Sequence, residues 1–290
     1  MRLLACAILI ASAYAVAFAA EPLPAQTFAY VAPKVISRSS VSAPPGIRET
    51  ALRINFPSTG HAAGALLWQP ARGTKPHGAV LFVHWLGEPA TSNPSEFARD
   101  ATELARHGVT SLSVQEPWSQ PTWFSHLRAP ATDFEMSVAI VKDLRATLDL
   151  LVAQPRVDAH KLAFVGHDFG AMFGAIMSGV DHRARHYVFI AGTATLREWY
   201  LLDSRKPADA DAYSQTMSRL DSGAYLSQSN ALDYFFQFAR NDRYIPLERA
   251  FAFFNAAPQP RTMAIYDATH AMQNGTVFRD RIAWLSERLQ

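Results

Sequence analysis

The stretch Phe164-Val165-Gly166-His167-Asp168-Phe169-Gly170-Ala171-Met172 constrains this chain more than any other. An apolar, β-branched run enters it at 162–165 and an apolar, helix-like run leaves it at 171–177, with glycine on both sides of a polar apex. That order reads as strand, sharp turn, helix. A small-x-nucleophile-x-small turn strains its central residue, and the flanking glycines let the two backbones pass close together. The apex is Asp168, so the turn presents a carboxylate at the C-terminal end of a buried strand.

A turn of this kind works with an acid and then a histidine further along, each at the end of a later strand. Tyr234-Phe235-Phe236-Gln237-Phe238-Ala239-Arg240 is strand-like and ends in Asn241-Asp242, and Arg261-Thr262-Met263-Ala264-Ile265-Tyr266 leads into Asp267-Ala268-Thr269-His270. Asp168, Asp242 and His270 therefore stand in the order nucleophile, acid, base. Asp203, Asp221 and Asp267 compete for the acid's place; Asp242 is favoured by its position just past a strand and by the Ile245-Pro246 that follows.

The rest of the chain supplies a frame for these residues. Alternating patterns at 51–56 and 63–69 predict two antiparallel strands, and the near-continuous apolar run at 78–84 predicts a strand buried on both faces. Asn93-Pro94-Ser95-Glu96 opens a helix with a cap, a proline at the first position and a glutamate at the third; Phe97, Ala101 and Leu104 share a face, and Gly108 ends it. A strand at 109–114 precedes the strongest helical period, 133–153, where Phe134, Val138, Val141, Leu144, Leu148 and Leu151 form a core-facing stripe. Another strand falls at 186–190, and helices are expected at 246–256 and 276–289. The segment 194–230 shows no strand pattern and reads as a short lid-like insertion. Strands alternating with helices give an α/β domain over 50–290, with a mainly parallel central sheet and helices on both faces.

Composition limits what such a domain does. The chain's 290 residues, 49% of them apolar, suffice for a sizeable core, while its net charge of +2 with no basic run argues against nucleic acid as a partner. Met1-Arg2, the apolar run 3–16 and Ala17-Phe18-Ala19-Ala20-Glu21 have the form of a secretory signal peptide over 1–20, cleaved near Ala19 or Ala20. The expected destination is periplasmic or extracellular, with no membrane attachment after signal removal. Cys6, the single cysteine, lies inside that leader, so the mature chain forms no disulfide. Residues 21–49, rich in proline, alanine and serine, read as a linker or extended arm. His84, His167 and His270 lack the short spacing of a metal motif, so neither metal nor other cofactor is expected; His84 and His167 read as loop-fixing residues.

On these motifs the chain resembles the α/β-hydrolase superfamily over nearly all of its mature length, with a plan similar to its dienelactone hydrolase-like branch. Gly166-His167-Asp168-Phe169-Gly170 is similar to the elbow of epoxide hydrolases, where aspartate is the nucleophile, and Gly87-Glu88-Pro89 resembles the oxyanion-side loop of haloalkane dehalogenases. It departs from these relatives in the Trp-Leu pair between His84 and Gly87, in lacking a full helical cap, and in placing aspartate where dienelactone hydrolase-like enzymes carry cysteine or serine. The resemblance implies an α/β-hydrolase fold and a small-molecule substrate.

An aspartate at the apex changes the chemistry. It is ionised without help from a base, and its useful target is an sp3 carbon bearing a leaving group, since attack on an ordinary ester would give a high-energy anhydride. Displacement at an epoxide or a carbon–halogen bond gives an alkyl ester, which a water activated by His270 then hydrolyses, with Asp242 orienting the imidazole. The oxyanion forms on Asp168 itself, and the candidate donors are the Phe169 N–H and one from Trp85 or Leu86. A halide would need an indole N–H from Trp85, Trp118 or Trp123; an epoxide oxygen would need a phenol from Tyr200, Tyr213 or Tyr225, and the balance favours the epoxide. Two other readings stay open: Asp168 as general base toward an ester or lactone, and a non-catalytic ligand-binding protein built on the same fold.

Overall fold

The computed structural model describes residues 20–73, 75–88, 90–202 and 205–290; the leader with Cys6, apart from its last residue, lies outside them, as does Asp203. Among the described residues, nine strands form one sheet: β1 (Lys34–Val41), β2 (Ile47–Phe56), β3 (His61–Pro70), β4 (His77–Val83), β5 (Thr110–Val114), β6 (Val157–His167), β7 (His186–Ile190), β8 (Asp233–Ala239) and β9 (Arg261–Tyr266). Their order is β1-β2-β3-β5-β4-β6-β7-β8-β9. β1, β2, β3 and β5 pair antiparallel, and every pairing from β5 through β4 to β9 is parallel.

The helices are α1 (Ala98–Arg106), α2 (Asp133–Val152), α3 (Phe169–Val180), α4 (Leu196–Tyr200), α5 (Ala210–Met217), α6 (Ser222–Leu226), α7 (Leu247–Ala256) and α8 (Gly275–Leu289). Crossover helices on a parallel sheet cover both of its faces, which is why β4 carries an unbroken apolar run and is buried from Gly78 onward. On α2 the expected stripe is the buried face, with Phe134 at its margin. The α1 entry begins as a 3-10 turn, Pro94–Phe97, capped by Asn93 Oδ1 accepting the Ser95 N–H at 2.9 Å, and Gly108 with φ +87° closes the helix in the left-handed region.

The arm at 21–49 is more ordered than its composition suggests. Phe28 is fully buried in the main core, with its carbonyl held by Arg145, and β1 adds an edge strand to β2. Nearly every residue of β1 is exposed, so backbone pairing rather than an apolar face holds it, and no alternation marks it in the sequence. The lid-like segment contains α4, α5 and α6 and, among the described residues, no strand. No helix among the described residues is long and apolar enough to cross a membrane.

Candidate active site

Strand β6 and helix α3 meet at Asp168, whose φ of 54° and ψ of −112° belong to neither element. Only glycine permits the turn: a methyl group on Gly166 would lie 2.3 Å from the Gly170 carbonyl oxygen, and one on Gly170 would lie 2.2 Å from that of Val83. The apex side chain is thereby fixed at the C-terminal edge of the sheet, the place where ligands meet sheets of this type.

The loops after β8 and β9 bring Asp242 and His270 to the same point. His270 Nδ1 is 2.8 Å from Asp242 Oδ2, and Asp242 Oδ1 accepts the N–H groups of Tyr244 at 2.8 Å and Ile245 at 3.0 Å. Burial disfavours the charge on Asp242, yet the hydrogen bond and charge of His270, with those two amides, hold its carboxyl below the usual range. His270 Nε2 then faces Asp168 Oδ1 at 3.8 Å, and neither atom has a hydrogen-bond partner among the described residues. Of the rival acids, Asp221 is bonded to Arg197 and Asp267 accepts from Asn241 Nδ2.

Asp168 is fully buried. Burial pushes its carboxyl up to about 7, against the pull of His270 and of the Leu86 and Phe169 amides. Its Oδ2 accepts the Leu86 N–H at 3.0 Å. Of the candidate oxyanion-side donors, Leu86 is the one whose N–H is bonded to the Asp168 side chain. The expectation for Trp85 is corrected here, because its N–H is spent on Glu96 Oε2 at 2.8 Å. The loop that carries Leu86 is tied down at several points. Ser92 Oγ donates to the Trp85 carbonyl at 2.8 Å, and His84 Nε2 accepts the Glu116 N–H at 3.0 Å, leaving Nδ1 to donate to the Trp85 carbonyl at 2.9 Å. Burial lowers the His84 ring to about 4, so it is a neutral loop-fixing residue.

A cleft of about 700 Å³ opens above this group, lined among others by Leu86, Phe124, Trp199, Arg243, Tyr244 and His270. Trp199 stacks on the His270 ring at 5.6 Å between centroids, and Tyr244 meets it edge-on at 5.1 Å. A side pocket of about 240 Å³ shares Leu86, Gly87 and Phe124 with the cleft and reaches Trp118 and Trp123, so these two nominated tryptophans do face a cavity. Of the three candidate indoles, two already have partners: Trp118 Nε1 donates to the His84 carbonyl at 3.2 Å, and Trp85 Nε1 donates to Thr91 Oγ1 at 3.2 Å.

None of the three nominated tyrosines lines the cleft. Tyr200 packs edge-on against Phe169 with its hydroxyl 3.0 Å from Ser137 Oγ, and Tyr213 donates to Asp133 Oδ2 at 2.7 Å. The Tyr225 hydroxyl donates to the Arg219 carbonyl at 3.0 Å and accepts the Leu23 N–H at 2.8 Å. Their position in the lid segment suggested a role at the substrate, but each hydroxyl satisfies a structural partner instead. Tyr244 and Trp199 take the cleft wall. Tyr244 lies two residues beyond Asp242, and that adjacency was the one sequence signal that could have found it. Among the described residues no group of three or more histidine, cysteine, aspartate or glutamate side chains converges so as to hold a metal ion.

The fold is that of the α/β-hydrolases. No protein-family model matches the chain, and neither does any curated protein. Solved structures do. Acetyl xylan esterase from Paenibacillus sp. R4 superposes with a TM-score of 0.70 at 15% identity, covering 92% of each chain. Acetyl xylan esterase 1 from Thermoanaerobacterium sp. JW/SL YS485 gives 0.68 at 15% identity over 89% of this chain and 88% of that one. A dienelactone hydrolase-like protein from Klebsiella pneumoniae subsp. pneumoniae MGH 78578 gives 0.58 at 18% identity over 82% and 99%. At these identities the likeness concerns architecture.

Proposed function

We propose that the chain is an exported hydrolase that attacks an sp3 carbon of a small molecule, an epoxide or a carbon–halogen bond, with Asp168 as nucleophile. The observation that carries this reading is the division of labour within one carboxylate: Oδ2 is bonded to the Leu86 N–H while Oδ1 is bare and faces His270. In the first half-reaction Oδ1 forms the C–O bond as the carbon–leaving-group bond breaks, giving an alkyl ester on Asp168; a halide departs as the ion, and an epoxide oxygen stays on the alkyl group as an alkoxide that takes a proton from water in the cleft. In the second, His270 Nε2 takes a proton from water, which adds to the Asp168 carboxyl carbon, and the negative charge develops on Oδ2, which already accepts the Leu86 N–H, with the Phe169 N–H as the second candidate donor. Collapse expels the alcohol, which takes the proton from His270, and Asp168 is regenerated. Asp242 holds the Nδ1 proton throughout. Export rests on the leader-like segment 1–20.

A second reading has its own support. A carboxyl at about 7 has the basicity of a general base, and an ester or lactone hydrolysed through a water on Asp168 would suit the esterase-like neighbours. Intact-mass measurement on His270→Gln, incubated with a mixture of epoxides and haloalkanes and followed by peptide mapping, separates the two. An adduct on the peptide bearing Asp168 supports the nucleophile reading, and its mass gives the substrate class. A folded variant with no adduct across the panel moves the assignment to the general base.

A further inference from the structure

His167, the residue before the apex, takes part in none of these steps, yet its buried ring is bonded at both nitrogens. Nδ1 lies 2.6 Å from Glu96 Oε1 and Nε2 lies 2.9 Å from the carbonyl oxygen of His270. A carboxylate and a carbonyl are both acceptors, so the ring satisfies them together by donating twice, as an imidazolium facing a carboxylate. The Trp85 indole lies flat against that ring, 5.1 Å between centroids and 2° between planes, which is where the π face of tryptophan stabilises a cation. Glu96 uses its remaining oxygen, Oε2, on the Trp85 N–H at 2.8 Å. At the third position after the helix cap this glutamate would ordinarily fold back on its own helix; here it turns away to the two loops.

One ion pair therefore touches three separate stretches of chain: the loop carrying the Leu86 N–H, the elbow carrying Asp168, and the loop carrying His270. We propose that Glu96 and His167 are positioning residues whose pairing holds the Leu86 amide on Asp168 Oδ2 and keeps the His270 loop in register, without either touching substrate. The proposal deepens the functional reading above and rests on Leu86 being a catalytic donor. Glu96 Oε2 fixes the amide one residue before Leu86, so its loss frees the peptide whose orientation sets that donor. His167 holds the peptide carbonyl of His270, so its loss frees the base in the same way.

The test compares Glu96→Ala, Glu96→Gln and His167→Gln in the full chain, first without substrate. In the parent protein the Leu86 amide proton is expected downfield and protected from exchange, and His167 is expected to show two ring N–H signals. Glu96→Ala should move the Leu86 amide upfield and lower its protection about tenfold or more. Glu96→Gln keeps an oxygen for the Trp85 N–H, so the Leu86 amide should stay in place while His167 shows a single ring N–H. Should Glu96→Ala not fold, His167→Gln carries the test, with shifts expected at both Leu86 and the His270 ring. On the substrate that traps on His270→Gln, Glu96→Ala should lower kcat by about 10- to 100-fold with KM changed by less than about threefold, and Glu96→Gln should recover most of the loss. A Leu86 amide unmoved in folded Glu96→Ala, or unmoved Leu86 and His270 signals in His167→Gln, overturns the positioning role. Failure of the parent protein to turn over any such substrate would instead overturn the functional reading, leaving the spectroscopic result to stand by itself.

Discussion

Asp168 Oδ2 accepts a hydrogen bond from the Leu86 N–H at 3.0 Å, whereas Oδ1 of the same carboxylate accepts none and faces His270. On the proposed reading, the oxyanion-side donor is occupied by the residue whose ester is to be attacked. On the proposed nucleophile reading, water adds to the carboxyl carbon of Asp168 rather than to substrate. Turnover in ¹⁸O-water should consequently place label in the Asp168 carboxylate, and the first-turnover product should carry unlabelled oxygen. Peptide mapping after turnover checks this; label in the product alone, from the first turnover on, would favour the general-base route.

The acidity of Asp168 sets a pH dependence. On the nucleophile reading only the carboxylate attacks, and burial pushes this carboxyl up to about 7, so kcat/KM should rise about tenfold per pH unit on the acid side and level off above the midpoint. His270 pulls the carboxyl down, so the rate of adduct formation on His270→Gln should show a midpoint displaced to higher pH. Single-turnover rates across a pH series measure both.

The same burial has a cost in stability. The unfolded carboxyl loses its proton near 3.8 and the folded one near 7, so between these values the native state holds a proton that the unfolded state has released. Stability must fall as pH rises through that window and stay low above it. Asp168→Asn has no such penalty, and should be more stable than the parent by about 2–4 kcal/mol on the alkaline side, with the difference vanishing on the acid side of the window. Urea unfolding on either side of the window gives the comparison, and the variant should be inactive.

Glycine at the elbow is a steric requirement, and it too can be measured. Gly170→Ala drives a methyl group to 2.2 Å from the Val83 carbonyl oxygen, a backbone atom in the middle of the sheet. A loss of about 3 kcal/mol is expected, together with displacement of Asp168. At Gly275 the nearest neighbour of an added methyl group is the end of the Arg279 side chain at 3.9 Å, and Gly275→Ala should be close to neutral. Thermal unfolding of the pair checks the contrast.

How much of this was legible in the sequence follows from what each feature depends on. The strands, crossover helices and elbow carry periodic apolar residues and glycines, which are local signals, so β4, α2 and the turn at Asp168 stand where they were expected. The Asp242–His270 contact was inferable because both residues end strands whose order the fold dictates. β1 was not, because its pairing uses backbone groups that every residue has. The three tyrosines were misplaced for a related reason: a phenol's partner is decided by tertiary packing, and Tyr225 finds Leu23, 202 residues away. The choice between Trp85 and Leu86 as donor turned on one side chain, Glu96, reaching across from the start of a helix.

That bond from Tyr225 to Leu23 bears on how a substrate gets in. Helix α6 sits so close to α3 that a methyl group on Gly179 would come within 2.5 Å of the Tyr225 carbonyl oxygen, and the Tyr225 hydroxyl joins the arm to Arg219 at the other end of the same short segment. The rear of the insertion is thus stapled between the body of the domain and its N-terminal arm. It does not behave as a hinged cover. The way to the buried carboxylate is bounded instead by side chains at the front of the cleft, among them Phe124, Trp199 and Leu202. Substrate selection would then depend on the width of a molecule at that point more than on the reach of any loop.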